Sequence, residues 1–257
     1  MKKIIQDLEI VGKKWLNSYS FLIDLQAPEK LPDMFPGQFA EVLVENSRST
    51  FLRRPFSIHN ICYAENTISF LIQIVGDGTK ALGELKEGDL LNIIYPLGNS
   101  FSLPFLKDKV LLVGGGCGAA PLLFLARYFF EKGISIIILM GGRTKEDIFE
   151  IEEYKKYGKV YIMTEDGTMG EKGLVTRHYI LNSGSPEFNK IYTCGPEPMM
   201  KTIAVFAKEN GLNCEVSLEN TMACGIGACL CCVVETTTGN KCVCTEGPVF
   251  NINDLTW

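Results

Sequence analysis

The stretch "ACGIGACLCCVV" sets four of the chain's ten cysteines between Cys224 and Cys232, and "KCVCTEGPVF" adds Cys242 and Cys244. Thiols at this density bind metal, exchange electrons or pair as disulfides. Cys224, Cys229 and Cys232 read C-x4-C-x2-C, and with Cys244 downstream they match the plant-type spacing for a [2Fe–2S] cluster. A loop carrying three thiolates around a small inorganic core must curl tightly. Gly225 and Gly227 allow that curl, because glycine accepts positive φ and lets backbone N–H groups approach the sulfurs. Spacing selects Cys232 over Cys231 more firmly than it selects Cys244 over Cys242. Structural zinc on Cys229, Cys232, Cys242 and Cys244 is the competing arrangement, although zinc sites seldom use the x4 interval.

Two further groups of residues are suited to phosphate. In "VLLVGGGCGAAPLLFLARYF", Gly114, Gly116 and Ala119 have the G-x-G-x-x-A spacing between a strand and a helix. Small residues there let the backbone approach a pyrophosphate, which N–H groups and the helix dipole stabilise. A plain tight turn between strand and helix is the alternative. In "RRPFSIHN" an arginine fork suits a pyrophosphate. "VGDGTKALGEL" opens a helix at Gly78 and Thr79, a second anion site, so that Arg54 and the helix start would grip one dinucleotide. Arg143, in "GGRTKEDIF", stands where a ribose-reading acid is common, and it leaves NAD and NADP both open. Cys194, in "YTCGPEPMM", is either a nicotinamide-side residue or a small buried thiol. His59 and His178 have no partner pattern, so no chemistry is assigned to them.

Three compositional territories must position these residues. Residues 1–103 alternate short β-rich runs with turn signals, which predicts an antiparallel barrel or sandwich. One short helix is predicted within "DGTKALGELKEGD", with Leu82 and Leu85 on one face and Gly88 as its stop. Residues 104–215 alternate apolar strands with helices that end at Gly133 and Gly211, which predicts βαβ units and a parallel sheet. Residues 216–257 form a small cysteine-rich territory.

The chain of 257 residues is 46% hydrophobic and 21% charged, an ordinary globular composition. Its net charge of -5 argues against a general nucleic-acid binder, which needs a basic face. The opening "MKKIIQDLEIVGKKW" lacks the apolar run of a signal peptide, and no apolar stretch is long enough to span a bilayer. A cytoplasmic protein without membrane partners is expected, and in that reducing compartment clustered thiols bind metal more often than they form disulfides.

Taken in order, "RPFSI", "GDGTKALGELKEGD", "YPLGNSF", "VGGGCGAAPL", "TEDGTMGEKG", "YTCGPEPMM" and "MACGIGACLCCVV…CTEGPVF" resemble the ferredoxin reductase superfamily. The likeness is greatest to the electron transfer subunits of class 1B dihydroorotate dehydrogenases. It implies FAD in the barrel, held around Arg54, Pro55, Phe56 and Ser57, along Leu71, Ile72 and Gln73, and at Gly78 and Thr79. It implies a [2Fe–2S] cluster on Cys224, Cys229, Cys232 and Cys244. NAD would dock over Gly114, Gly115, Gly116 and Gly118 and near Cys194, Gly195 and Pro196. The implied partner is an FMN-containing dihydroorotate dehydrogenase catalytic subunit, in a heterotetramer serving pyrimidine biosynthesis.

The chain departs from the family pattern at Cys117, where an aliphatic residue is usual, and at Tyr95 and Ser100, where glycine is common; Cys231 and Cys242 are extra. Two other functions fit the same motifs. One is the NAD(P)H-linked reductase subunit of a hydrogenase or a ferredoxin:NADP oxidoreductase, and the other is a non-catalytic iron–sulfur redox sensor.

Overall fold

A computed structural model describes residues 2–45, 47–182 and 186–257. The chain forms two compact units. The first comprises Met1–Ser100, Asn220–Val234 and Lys241–Pro248, and the second Phe101–Glu219, Glu235–Asn240 and Val249–Trp257.

The first unit is built on seven strands, β1 (Ile4–Trp15), β2 (Ser20–Gln26), β3 (Phe39–Val42), β4 (Arg54–Ser57), β5 (Asn60–Cys62), β6 (Thr67–Gln73) and β7 (Leu90–Leu97), with helix α1 (Asp77–Glu84) between the last two. They form one antiparallel sheet in the order β4-β3-β7-β1-β2-β6-β5. Strand β4, at one end of that order, also approaches β6, so the sheet curls as a barrel does. Alternation of side chains explains the curl's interior. Phe21, Ile23 and Leu25 of β2, Ile68, Phe70 and Ile72 of β6, and Leu91, Ile93 and Tyr95 of β7 all point into the core and are buried.

Helix α1 stops at Glu84, before the glycine expected to end it. Lys13 accounts for the early stop, since its ammonium group donates to the carbonyls of Gly83 and, at 2.7 Å, of Leu85. Gly88 instead takes φ +90° in the turn that leads into β7. The longest strand, β1, carries only a diluted strand signal in the sequence. Its polar residues alternate with Leu8 and Ile10 on the core side, and a bulge between Ile10 and Gly12 bends it around the sheet.

The second unit carries β8 (Lys109–Gly115), α2 (Ala120–Glu131), β9 (Ser135–Gly142), α3 (Ile151–Lys155), β10 (Lys159–Thr164), β11 (Glu171–Lys172), α4 (Tyr179–Asn182), β12 (Lys190–Cys194), α5 (Glu197–Glu209) and β13 (Asn213–Ser217). Towards the chain's end, β14 (Val233–Thr236) and β15 (Gly239–Cys242) form a two-stranded sheet, the single turn α6 (Val243–Glu246) belongs to the first unit, and β16 (Val249–Asn251) to the second. The large sheet has the order β11-β10-β9-β8-β12-β13-β16, parallel except for β16.

Val110, Leu111, Leu112 and Val113 are all buried, as a central parallel strand covered on both faces requires. Helix α2 lays Leu122, Leu125, Ala126 and Phe129 on the sheet, and α5 adds Ile203, Ala204 and Ala207. No helix among the described residues is long and apolar enough to cross a membrane.

Candidate functional site

The cysteine loop lies wholly within the first unit. Gly225 (φ +66°), Gly227 (φ +79°) and Leu230 (φ +57°) give it three left-handed residues within six positions, the tight curl that its glycines predict. Each of the four expected ligands receives a backbone N–H. Ala228 N lies 3.3 Å from Cys224 Sγ, Cys231 N 3.5 Å from Cys229 Sγ, Cys244 N 3.3 Å from Cys232 Sγ, and Gly227 N 3.2 Å from Cys244 Sγ.

Four thiols supported by backbone N–H groups suit a two-iron core.

The two surplus cysteines differ from the four. Cys231 is exposed and its own N–H supports Cys229, and Cys242 spends its N–H on Glu246 Oε2 at 2.8 Å. Cys232 and Cys244 are buried, Cys224 is half-buried and Cys229 is exposed. Burial works against ionisation of Cys224, but the amides of Ile226, Cys229 and Ala228 and the Cys229 thiol outweigh it and bring its pKa down to about 6. Burial and the neighbouring Cys232 push Cys244 up to about 12. The donor set therefore fits a cluster: four thiols, with N–H groups already aimed at the sulfurs.

In the same unit, strand β4 leaves Arg54, Pro55, Phe56 and Ser57 all half-buried. The structure brings Arg54 to the start of α1, as the two-site dinucleotide grip requires. A methyl group built on Gly78 would lie 3.5 Å from Arg54 Nε and 3.0 Å from Thr50 Cγ2, so only glycine leaves that approach open. The Thr79 hydroxyl is spent on the helix start, accepting from Val75 N at 2.9 Å and donating to Gly76 O at 3.0 Å. Leu71 and Ile72 are buried in β6 and Gln73 is half-buried. Sequence reasoning missed Thr50 and Ser49, which line this helix start; Ser47 donates to Thr50 and Ser49 to Asp77. Short hydroxyl side chains in a loop carry no periodic signal.

In the second unit the glycine turn Gly114–Gly118 meets the loop after β12. Cys194 and Gly114 are paired in register, and a methyl on Gly118 would collide with the backbone of Gly195. One on Gly115 would come within 2.8 Å of Met199 Sδ and 2.9 Å of Pro196 Cδ. Gly116, at φ +54°, has nothing within 4 Å of the same position, so its face of the turn is open, a cradle suited to a pyrophosphate. The Tyr154 hydroxyl holds the turn from behind, donating to Ala119 O at 2.7 Å.

Cys194 is buried and its thiol lies 3.9 Å from Glu219 Oε1; burial, with that carboxylate, raises its pKa well above the ordinary thiol value. Arg143 is exposed, 3.9 Å from Asp147, whose carboxylate also accepts from the amides of Arg143 and Thr144. His178 is buried with Nε2 3.6 Å from Glu171, and desolvation lowers its pKa.

Comparison with known proteins adds the following. Residues 219–256 match the model of the iron-sulfur cluster binding domain of dihydroorotate dehydrogenase B, and residues 112–204 match that of an oxidoreductase NAD-binding domain. The chain is 39% identical over 226 residues to the dihydroorotate dehydrogenase B (NAD(+)) electron transfer subunit of Fusobacterium nucleatum, covering 86% of each chain. The corresponding subunit of Caldanaerobacter subterraneus is 41% identical over 220 residues, covering 84% of each. Among solved structures, a chain of the NADH-dependent reduced ferredoxin-NADP oxidoreductase superposes with a TM-score of 0.86 at 30% identity, covering 97% of this chain and 90% of that one.

Proposed function

Because the chain belongs to the family of dihydroorotate dehydrogenase B (NAD(+)) electron transfer subunits, we propose that it carries electrons from a partner's flavin to NAD+ through a [2Fe–2S] cluster and FAD. When bound, the cluster supplies one-electron transfer, the nicotinamide accepts a hydride, and the flavin converts between the two. The protein's part is to hold these groups.

Cys224, Cys229, Cys232 and Cys244 are the proposed cluster ligands. The observation that carries this reading is the backbone N–H directed at each of the four sulfurs. Around FAD, Arg54 and the first turn of α1 would bind the pyrophosphate, and Pro55, Phe56, Ser57, Leu71, Ile72 and Gln73 would line the isoalloxazine and ribityl portions. Gly114, Gly115, Gly116 and Gly118, with Gly195 and Pro196, would cradle NAD. Cys194 would shape the nicotinamide side as a neutral thiol, since burial keeps it protonated.

The partner would be the FMN-containing catalytic subunit, joined in a cytoplasmic heterotetramer. Among the described residues the strands form no barrel of eight parallel strands able to bear a dihydroorotate site. A second reading, electron exchange with ferredoxin, is favoured by the 30% identical ferredoxin-NADP oxidoreductase chain.

Iron, sulfide, zinc and flavin analysis of the anaerobically purified chain tests the cofactor set. About two irons, about two sulfides and one FAD per chain are expected; stoichiometric zinc without sulfide contradicts it. Anaerobic assays of the purified complex then separate the two readings. NAD+ reduction by dihydroorotate supports the first, and reduction by ferredoxin alone supports the second.

A further inference from the structure

The phenol of Tyr154 is buried behind the glycine turn proposed for NAD, on α3, a helix of five residues that carries no other part of that site. A helix this short has little stability of its own, so its placement depends on what it packs against. Its start is unusual. Glu150, the residue before the helix, takes φ +51°, a left-handed conformation uncommon for a residue with a side chain. The Glu150 carbonyl accepts from Glu153 N at 2.9 Å and from Tyr154 N at 3.1 Å, so local backbone strain is accepted at the point that delivers Tyr154.

The hydroxyl meets the turn at its joint with α2. Tyr154 Oη donates to Ala119 O at 2.7 Å, and Ala119 both ends the 3-10 turn Gly116–Ala119 and directly precedes α2. On its other side Ala119 packs on Gly114, where an added methyl would lie 3.1 Å from Ala119 Cβ. The joint is thus held between the end of β8 and α3, and holding it fixes where the first N–H groups of α2 lie. Cys194 belongs to the same buried cluster as Ala119 and Tyr154, so one side chain underlies both the pyrophosphate turn and the loop proposed for the nicotinamide side. Burial, with Glu150 and Cys194 nearby, raises the phenol's pKa well above its ordinary value, and the hydroxyl remains a donor.

We propose that Tyr154 is a positioning residue for the nicotinamide dinucleotide: its bond to the Ala119 carbonyl holds the joint between the glycine turn and α2 where the turn can accept a pyrophosphate. The inference rests on the NAD site proposed above. Tyr154 acts through the backbone of Ala119 and not by contact with the dinucleotide. A phenylalanine ring would fill the same space and keep α3 anchored, so packing alone does not account for a hydroxyl at this position.

The test uses the full chain with its cofactors, as wild type, Tyr154→Phe and Tyr154→Leu. KM and kcat for NADH are read in a diaphorase assay. Affinity for ADP-ribose, which carries the pyrophosphate without the nicotinamide, is read by isothermal titration calorimetry. Tyr154→Phe keeps the ring and removes the bond, so it should retain FAD, iron and kcat. Its KM for NADH and Kd for ADP-ribose should both rise on the order of threefold to tenfold, the worth of one hydrogen bond. Tyr154→Leu removes the ring as well, so it should lower the melting midpoint and weaken both ligands at least as much.

A Phe variant with wild-type KM and ADP-ribose affinity overturns the inference. So does one that loses FAD and iron together with NADH affinity, because the hydroxyl would then support the fold in general, and so does one in which kcat falls while KM holds. A wild-type chain that binds neither NADH nor ADP-ribose overturns the NAD site and this inference together. A wild-type chain that binds both, beside an unaltered Phe variant, overturns this inference alone.

Discussion

In the loop from Cys224 to Cys232, glycine supplies backbone handedness. Gly225 and Gly227 take φ of +66° and +79°, turning the chain so that amides face sulfurs. In the turn from Gly114 to Gly118, glycine chiefly supplies space, because Gly118 packs directly on the backbone of Gly195 and Gly115 on Pro196 and Met199. The first site, as proposed, would do its chemistry with side chains, its backbone supporting them. In the second the backbone itself would be the binding surface, and a side chain would block it. The two sites should therefore fail in different ways when altered.

The largest effect is expected at the thiols. Cys229→Ser should abolish the visible and paramagnetic signals of the cluster, while Cys231→Ser preserves them; the reverse pattern would overturn the ligand set. Next comes Gly118→Ala, where the added methyl has no room against Gly195. It should raise KM for NADH on the order of tenfold or more in a diaphorase assay by displacing the turn, and leave iron content unchanged.

Gly225→Ala should cost about 1–2 kcal/mol for the left-handed backbone, with a further cost for contact with Glu41, measured as a lower melting midpoint and partial cluster loss. The smallest effect on stability is expected for Gly116→Ala. Nothing lies within 4 Å, so only the backbone strain of about 1–2 kcal/mol applies, without the added contact cost, and the change should appear mainly in NADH binding. Equal stability losses at Gly225 and Gly116 would erase the distinction between the sites.

The same contrast explains what could be read from the sequence. Thiol spacing and the rhythm of strand, glycine turn and helix are local, so the cysteine loop, the parallel sheet and the Gly114–Gly118 turn were legible. Spacing could not choose between Cys242 and Cys244, because that choice depends on which thiol the fold brings beside Cys232. The fold sets Cys244 beside Cys232, its own amide 3.3 Å from Cys232 Sγ.

Strand β1 is faint in the sequence because its inward residues, Leu8 and Ile10, are diluted by lysines and acids on the outward face. The early end of α1 was set by Lys13, which is distant in sequence. The burial of Glu41 in β3 was invisible for a related reason. Read locally, the acid in "FAEV" looks like the solvent side of an alternating strand, yet all four residues are buried because Gly225 of the cysteine loop packs on that side too.

The central claim is that a single chain connects nicotinamide, flavin and a two-iron cluster. Anaerobic addition of NADH to the purified chain, followed by absorbance and low-temperature electron paramagnetic resonance, tests it most directly. The flavin absorbance should bleach and a reduced [2Fe–2S] signal should appear in the same titration, each in proportion to the chain. Flavin reduction that never yields a cluster signal, even at excess NADH and with dithionite as the final reductant, would contradict the account.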